Sequence, residues 1–289
     1  MTNLTDYNQI KVLLARHGFR FSKSLGQNFL IADWVPRQIA ESAGLDDQTG
    51  VLEIGPGVGC LTAQLSERAG KVLAVELDKD LKPVLAETLE GRENVEILFG
   101  DVLKLDLPAL VRERFAGLRP VVCANLPYNV TTPVLTQLLK AGCFDSITVM
   151  IQREVAQRIC SEAGTAEYGA FTLLVQWYAE PEMLFDVPPH CFLPQPKVTS
   201  SVIHLKRREK PPVQVQDEEL FFRTVRAAFN QRRKTLPNAL ASGLGISREM
   251  AEQAVTTAGF DARIRGEKLN LGGFAKISDE LYRIIFSDL

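Results

Sequence analysis

The sequence predicts an α/β protein: a mostly parallel sheet of seven strands with helices between them, followed by a smaller all-α domain. Three observations carry this. Short apolar runs alternate with stretches of helical periodicity as far as Leu205. A glycine-rich turn, Gly55-Pro56-Gly57-Val58-Gly59, joins one apolar run to a helical one. Beyond the charged, Pro-rich stretch Lys206–Gln216, the periodicity is purely helical.

Each element follows from local signals. Ile10, Leu13 and Leu14 stand at helical spacing in 9–17, and Gly18 is a natural stop. Asp33 is placed to cap a helix running to Ala43, with Gly44 closing it. The predicted strands are 51–54, 71–75, 95–99, 121–124, 146–151, 172–178 and 200–205, the last alternating enough to lie antiparallel. Helical patterns fill 60–69, 78–89, 133–141 and 153–160 between them. In the tail, Asp217 caps a helix carrying Leu220, Phe221, Val225, Ala228 and Phe229, and further helices fit 235–242, 247–258 and 278–286. The expected domains are 1–208 and 209–289.

Composition narrows the function classes. The chain has 289 residues, 46% of them hydrophobic and 24% charged, ordinary values for a soluble globular protein. No apolar run reaches membrane-span length, and the N-terminus lacks a basic-then-apolar signal, so a cytoplasmic protein is expected. Five cysteines are scattered without a Cys-x-x-Cys, and three histidines lack ligand spacing; no metal is expected. The net charge of −2 conceals two basic segments. One holds Lys11, Arg16, Arg20 and Lys23 with no acid between Tyr7 and Ala32; the other, Lys206–Lys234, has nine basic residues against four acids. Two such segments flanking one site suggest a phosphate footprint.

The chemistry gathers at strand ends. In a parallel sheet the ligand crevice lies beyond the carboxyl ends of the strands. Glycines in the turn after the first strand let backbone approach a ligand. Glu76, ending the second strand, can accept both hydroxyls of a ribose. The glycines fall as G-x-G-x-G, with Cys60 where a dinucleotide fingerprint needs glycine, so a nucleoside without pyrophosphate is the better ligand. Asp101 either caps a turn or accepts from an adenine amino group. After the fourth strand come Asn125-Leu126-Pro127-Tyr128. Asn125 brings an amide carbonyl, Pro127 biases Leu126 towards extended backbone, and Tyr128 offers a face for a base. Phe192, in a stiff Pro-rich loop, is either a buried anchor or a second aromatic face opposite Tyr128.

These residues together resemble the ribosomal RNA adenine N6,N6-dimethyltransferase family. The resemblance spans Phe21 to Leu236 through Gln27–Leu30, Glu53–Thr62, Glu76-Leu77-Asp78, Gly100-Asp101, Asn125–Tyr128 and Phe192–Ser201. The run Ala228–Thr235 looks like the small-subunit branch rather than the macrolide-resistance branch. The resemblance implies a Rossmann-like class I S-adenosylmethionine-dependent methyltransferase fold. It implies cofactor contacts from Asn28, Leu30, Gly55, Gly57, Glu76, Asp101, Val102 and Asn125. Catalysis would fall to Asn125, Leu126, Pro127, Tyr128 and Phe192, and RNA contacts to Lys23, Arg153, Arg226, Arg232, Arg233 and Lys234. The implied reaction is dimethylation of two adjacent adenosines near the 3′ end of small-subunit rRNA, by a monomer acting on rRNA or the immature small subunit. The competing readings are a macrolide-resistance large-subunit enzyme, a DNA adenine methyltransferase, a non-catalytic assembly or transcription factor, and, weakest, a nicotinamide dehydrogenase.

Overall fold

A computed structural model describes residues 4–22 and 26–286. The chain divides into two compact units: residues up to Ala156 with Glu180–Arg207, and Gln157–Ala179 with Arg208 onward. The chain passes into the second unit after Arg207, and 157–179 also group with the C-terminal helices rather than with the sheet.

The first unit is built on nine strands: β1 (Phe29–Leu30), β2 (Thr49–Ile54), β3 (Lys71–Glu76), β4 (Val95–Phe99), β5 (Arg119–Asn125), β6 (Ser146–Gln152), β7 (Ala179–Val187), β8 (Phe192–Leu193) and β9 (Ser200–Arg207). Seven form one sheet in the order β4-β3-β2-β5-β6-β9-β7, and β1 pairs with β8. The pairs from β4 through β6 are parallel, and β9 joins β6 antiparallel, as the alternation in 200–205 predicts. All six residues of β2 are buried, as are Val121–Ala124 of β5. Parallel strands covered on both faces need such continuous apolar runs.

Strand order explains where the ligand crevice opens. From β2 the chain runs outward through β3 and β4, then returns to lay β5 on the other side of β2. Helices leaving β2 and β5 therefore diverge, and the crevice lies between those two strand ends. The glycine turn leaves β2 there, and Asn125 ends β5.

The predicted strand 172–178 is instead part of a helix, Ala170–Tyr178. Its β-branched and aromatic residues favour a strand, but tertiary contacts override propensity. Leu173 and Trp177, four apart, share a buried helix face, and the Trp177 ring lies 4.6 Å from that of Phe221. The Thr172 hydroxyl accepts from the Gly169 N–H at the helix start. The seventh place in the sheet goes to β7. That strand is an edge with Glu180, Pro181, Glu182 and Asp186, whose charges and proline hide it from a periodicity reading.

The second unit packs that helix with Glu218–Asn230, Leu236–Leu244, Arg248–Thr257 and Leu271–Phe286. Asp217 caps the first of these four through the Leu220 N–H, as expected. The last begins seven residues before the expected Ser278, which is buried inside it. Asp33 sits at a helix N-cap position, but its side chain makes no capping bond. No helix among the described residues is long and apolar enough to cross a membrane.

Candidate active site

Beyond the ends of β2, β3 and β5 lies a cavity of about 200 Å³, lined by residues of the first unit alone. The glycine turn forms one wall. Gly55, Gly57 and Gly59 all have positive φ, and Gly55 donates its N–H to the Val75 carbonyl. A Cβ at Gly57 would come within 3.0 Å of the Phe29 ring, so glycine is required there for space as well as conformation.

Glu76 ties this turn to the next strand. One carboxylate oxygen accepts from the Gly57 N–H at 3.3 Å and the other from the Asp78 N–H at 2.8 Å. Each oxygen keeps a lone pair for a ligand hydroxyl. Burial raises the Glu76 pKa, opposed by those two N–H groups. Asp101 is a cap, one of the two roles expected of it: its Oδ1 accepts from the Leu103 N–H at 3.0 Å. It lines the cavity as well, with the buried Val102 beside it.

Asn125 has a fixed orientation. Its Nδ2 donates to the Asn28 carbonyl at 3.2 Å, and Asn28 is itself held by a bond from its amide to the Gly26 carbonyl. With the amide nitrogen engaged, Oδ1 is left as the acceptor. Leu126 is buried and anchored through its N–H to the Met150 carbonyl. The Pro127 carbonyl is taken by the Val130 N–H and the Thr131 hydroxyl. Of the Leu126 and Pro127 backbone carbonyls, that of Leu126 therefore remains for a ligand. Tyr128 lines the cavity half-buried, its hydroxyl 2.6 Å from Ser200 Oγ, and burial raises its pKa.

Phe192 does not join this group. It is 2% exposed, packed in the core around Leu30, Met150 and Val202, and its backbone faces Leu30 across the β1–β8 pair. Of the two roles open to it, the structure gives it that of anchor. Asn28 and Leu30 do line the cavity, brought there by that pair.

Among the lining residues that sequence reasoning does not name, Leu77, Leu103 and Glu53 bear most on the site. Leu77 and Leu103 are apolar yet 53% and 39% exposed at the rim, Leu77 directly after Glu76 and Leu103 two residues past Asp101. Glu53 is a carboxyl 1% exposed inside a strand; an acid in an otherwise apolar run was the available signal. In all, Glu53, Glu76 and Asp101 line the cavity, and among the described residues no Lys, Arg or His does. No cluster of His, Cys, Asp and Glu among them is arranged for a metal ion.

The expected RNA contacts separate. Lys23 lies outside the described residues. Arg153 pairs with Asp186 at 3.3 Å, and Arg232 donates to the Ala166 carbonyl and to Glu267. Arg226, Arg233 and Lys234 are exposed, with no ion pair among the described residues.

The model for the ribosomal RNA adenine dimethylase family matches residues 18–281. The chain belongs to that family. The match continues past Leu236, where the sequence resemblance stopped, through most of the second unit. Among relatives of this dimethylase, "Ribosomal RNA small subunit methyltransferase A" of Geobacillus thermodenitrificans is 49% identical over 276 residues, 94% of each chain. The protein of the same name from Clostridium acetobutylicum is 47% identical, covering 94% of this chain and 97% of its own. Among solved structures, the 23S rRNA methyltransferase ErmE is similar with a TM-score of 0.65 and 26% identity, over 88% of this chain and all of that one. A dimethyladenosine transferase from Plasmodium falciparum shares the fold, with a TM-score of 0.69 at 24% identity, over 86% and 95% of the two chains.

Proposed function

We propose that this dimethylase transfers methyl groups from S-adenosylmethionine to the N6 amino groups of two adjacent adenosines near the 3′ end of small-subunit rRNA, two to each. The observation that carries the reading is the Asn125 amide, pinned through its nitrogen so that its oxygen and the Leu126 carbonyl are left as acceptors. An adenine N6 amino group has two hydrogens to donate and a lone pair delocalised into the ring. Bonds from both hydrogens to those oxygens favour a pyramidal nitrogen with an available lone pair. Fixing the amine in line with the methyl donor contributes up to roughly 7–11 kcal/mol in favourable cases.

The cavity fits the cofactor. Three carboxyls, without a basic residue among the described lining residues, suit a cationic nucleoside and disfavour a phosphate-bearing one such as NAD. Glu76 would hold the ribose, Asp101 and Val102 the adenine, and Gly55, Gly57, Asn28 and Leu30 the remainder. When bound, the cofactor supplies an electrophilic methyl on a sulfonium. Unpairing the target base costs a few kcal/mol. A stack on Tyr128, worth about 1–3 kcal/mol, offsets part of it, and the Ser200 bond fixes that ring.

The small-subunit substrate is supported by the names of relatives 47–49% identical over nearly their whole length. In the second unit, Arg226, Arg233 and Lys234 would contact RNA phosphates. A ribosomal substrate carries with it a cytoplasmic setting, and a monomer suffices because one chain lines the cavity. The test is mass spectrometry of dimethyladenosine after incubating the protein and S-adenosylmethionine with immature small subunits, large-subunit RNA or duplex DNA. Dimethyladenosine is expected in the small subunit alone; its appearance in either other substrate instead would overturn the reading.

A further inference from the structure

Glu53 is the one lining carboxyl with no role in holding the glycine turn or capping a strand end. It is 1% exposed, and its Oε2 is buried without a hydrogen-bond partner. Around it, β3 contributes Glu76, the helix Cys60–Ser66 contributes Cys60 and Thr62, and β5 contributes Cys123. None of these is cationic. Burial pushes the Glu53 carboxyl up to about 8, offset only in part by the nearby Thr62 hydroxyl, which does not reach hydrogen-bond geometry with it, and the Glu76 charge adds to the rise. The thiols of Cys60 and Cys123 are themselves raised, chiefly by burial and further by the charge on Glu53. An unpaired buried carboxylate is costly, so the group stays neutral until a positive charge arrives.

We infer that Glu53 is a charge-sensing residue of the cofactor site, neutral in the free protein and ionised when a sulfonium cation occupies the cavity. The inference rests on the S-adenosylmethionine reading above. Its consequence is discrimination between cofactor and product. S-Adenosylmethionine carries a positive sulfur and S-adenosylhomocysteine a neutral one; the α-ammonium and the remainder of the two molecules are shared, so only the sulfur's charge can distinguish them at Glu53. Occupancy by the cation drives the Glu53 proton to solvent. Once the methyl has gone and the sulfur is neutral, the buried carboxylate loses its partner, takes a proton back, and no longer favours the ligand. Glu53 thus acts as a specificity-determining group that favours exchange of spent for fresh cofactor.

Isothermal titration calorimetry in buffers of different ionisation enthalpy tests this without turnover. At pH 6.5, S-adenosylmethionine is expected to release close to one more proton than S-adenosylhomocysteine does. Its affinity relative to the product should rise by up to tenfold per pH unit between pH 6 and 8. In Glu53→Gln the extra proton disappears and the affinity ratio becomes independent of pH. Equal proton release by the two ligands in the unsubstituted protein, or an unchanged pH-dependent ratio in Glu53→Gln, would overturn the inference while leaving the cofactor assignment intact. Binding of neither ligand to the unsubstituted protein would overturn both. If Glu53→Gln does not fold, the proton count of the unsubstituted protein decides by itself.

Discussion

The cavity of the first unit and the helix surface of the second present opposite chemistry. Among the described residues the cavity is lined by three acids and no base, whereas Arg226, Arg233 and Lys234 stand exposed without ion pairs on the helical unit. A cationic cofactor and a polyanionic RNA call for such opposite surroundings, and a near-zero net charge is what remains when both are present in one chain. Total charge therefore says little about ligands when charge of each sign is gathered in its own place.

Five experiments break or sharpen that contrast. The largest expected effect is on the acid side. Glu53 has an ordinary carboxyl value of 4.5 in the unfolded chain and about 8 in the ligand-free fold. Its stabilising contribution is full below pH 4.5 and is lost as pH rises through 8, at about 1.4 kcal/mol for each unit crossed. Chemical unfolding from pH 4 to 8.5 should show this decline. It should be shallower in Glu53→Gln, where only Glu76, also raised by burial, still contributes; an equally steep decline would remove Glu53 from the acid lining.

Asn125→Ala sharpens the comparison by separating chemistry from charge. Turnover should fall about 10²–10³-fold, as when one preorganised polar group is lost from an active site, while cofactor affinity changes little. Equal losses in both would make Asn125 a cofactor clamp. Glu76→Ala should then weaken S-adenosylmethionine binding by roughly 10–100-fold, the scale of charge-assisted hydrogen bonds. Unchanged affinity would remove the ribose assignment.

The smallest effect concerns the basic side. Neutralising Arg226, Arg233 and Lys234 together should reduce the salt dependence of RNA binding by a slope of about 2, at roughly 0.7 per phosphate contact on single strands. Arg232 is left out of the set because it holds the Ala166 carbonyl and Glu267. Arg232→Ala should lower the stability of the helical unit and leave the slope alone. A slope unmoved by the triple variant would place the RNA footprint elsewhere.

Local residue chemistry made much of the site legible in advance. Glycines at positive φ, an acid ending a strand and Asn-Leu-Pro-Tyr after an apolar run each have a use that hardly depends on distant contacts. Phe192 was ambiguous for the opposite reason: an aromatic in a stiff loop serves equally as anchor or stacking face, and only burial against Leu30 and Met150 decides. Nothing in Asn-Leu-Pro-Tyr distinguishes the Leu126 carbonyl from that of Pro127; the bonds from Thr131 and Val130 to Pro127 do so only in the fold. Glu53 passed unnoticed as a site residue because a carboxyl in a strand announces neither its depth nor its missing partner.

What the sequence by itself determined is the alternation of buried strands and helices, the glycine turn, the strand-end acids and the family, because these depend on short-range geometry and residue type. The tertiary structure alone decided that Thr172–Tyr178 is a helix packed on Phe221, that the edge strand is the charged 179–187, and that three acids meet around one cavity with no cation among the described lining residues. Packing contacts and solvent exclusion are set by residues far apart in the chain, and desolvation, which converts Glu53 from an ordinary acid into a neutral one, exists only once the surrounding strands have closed over it.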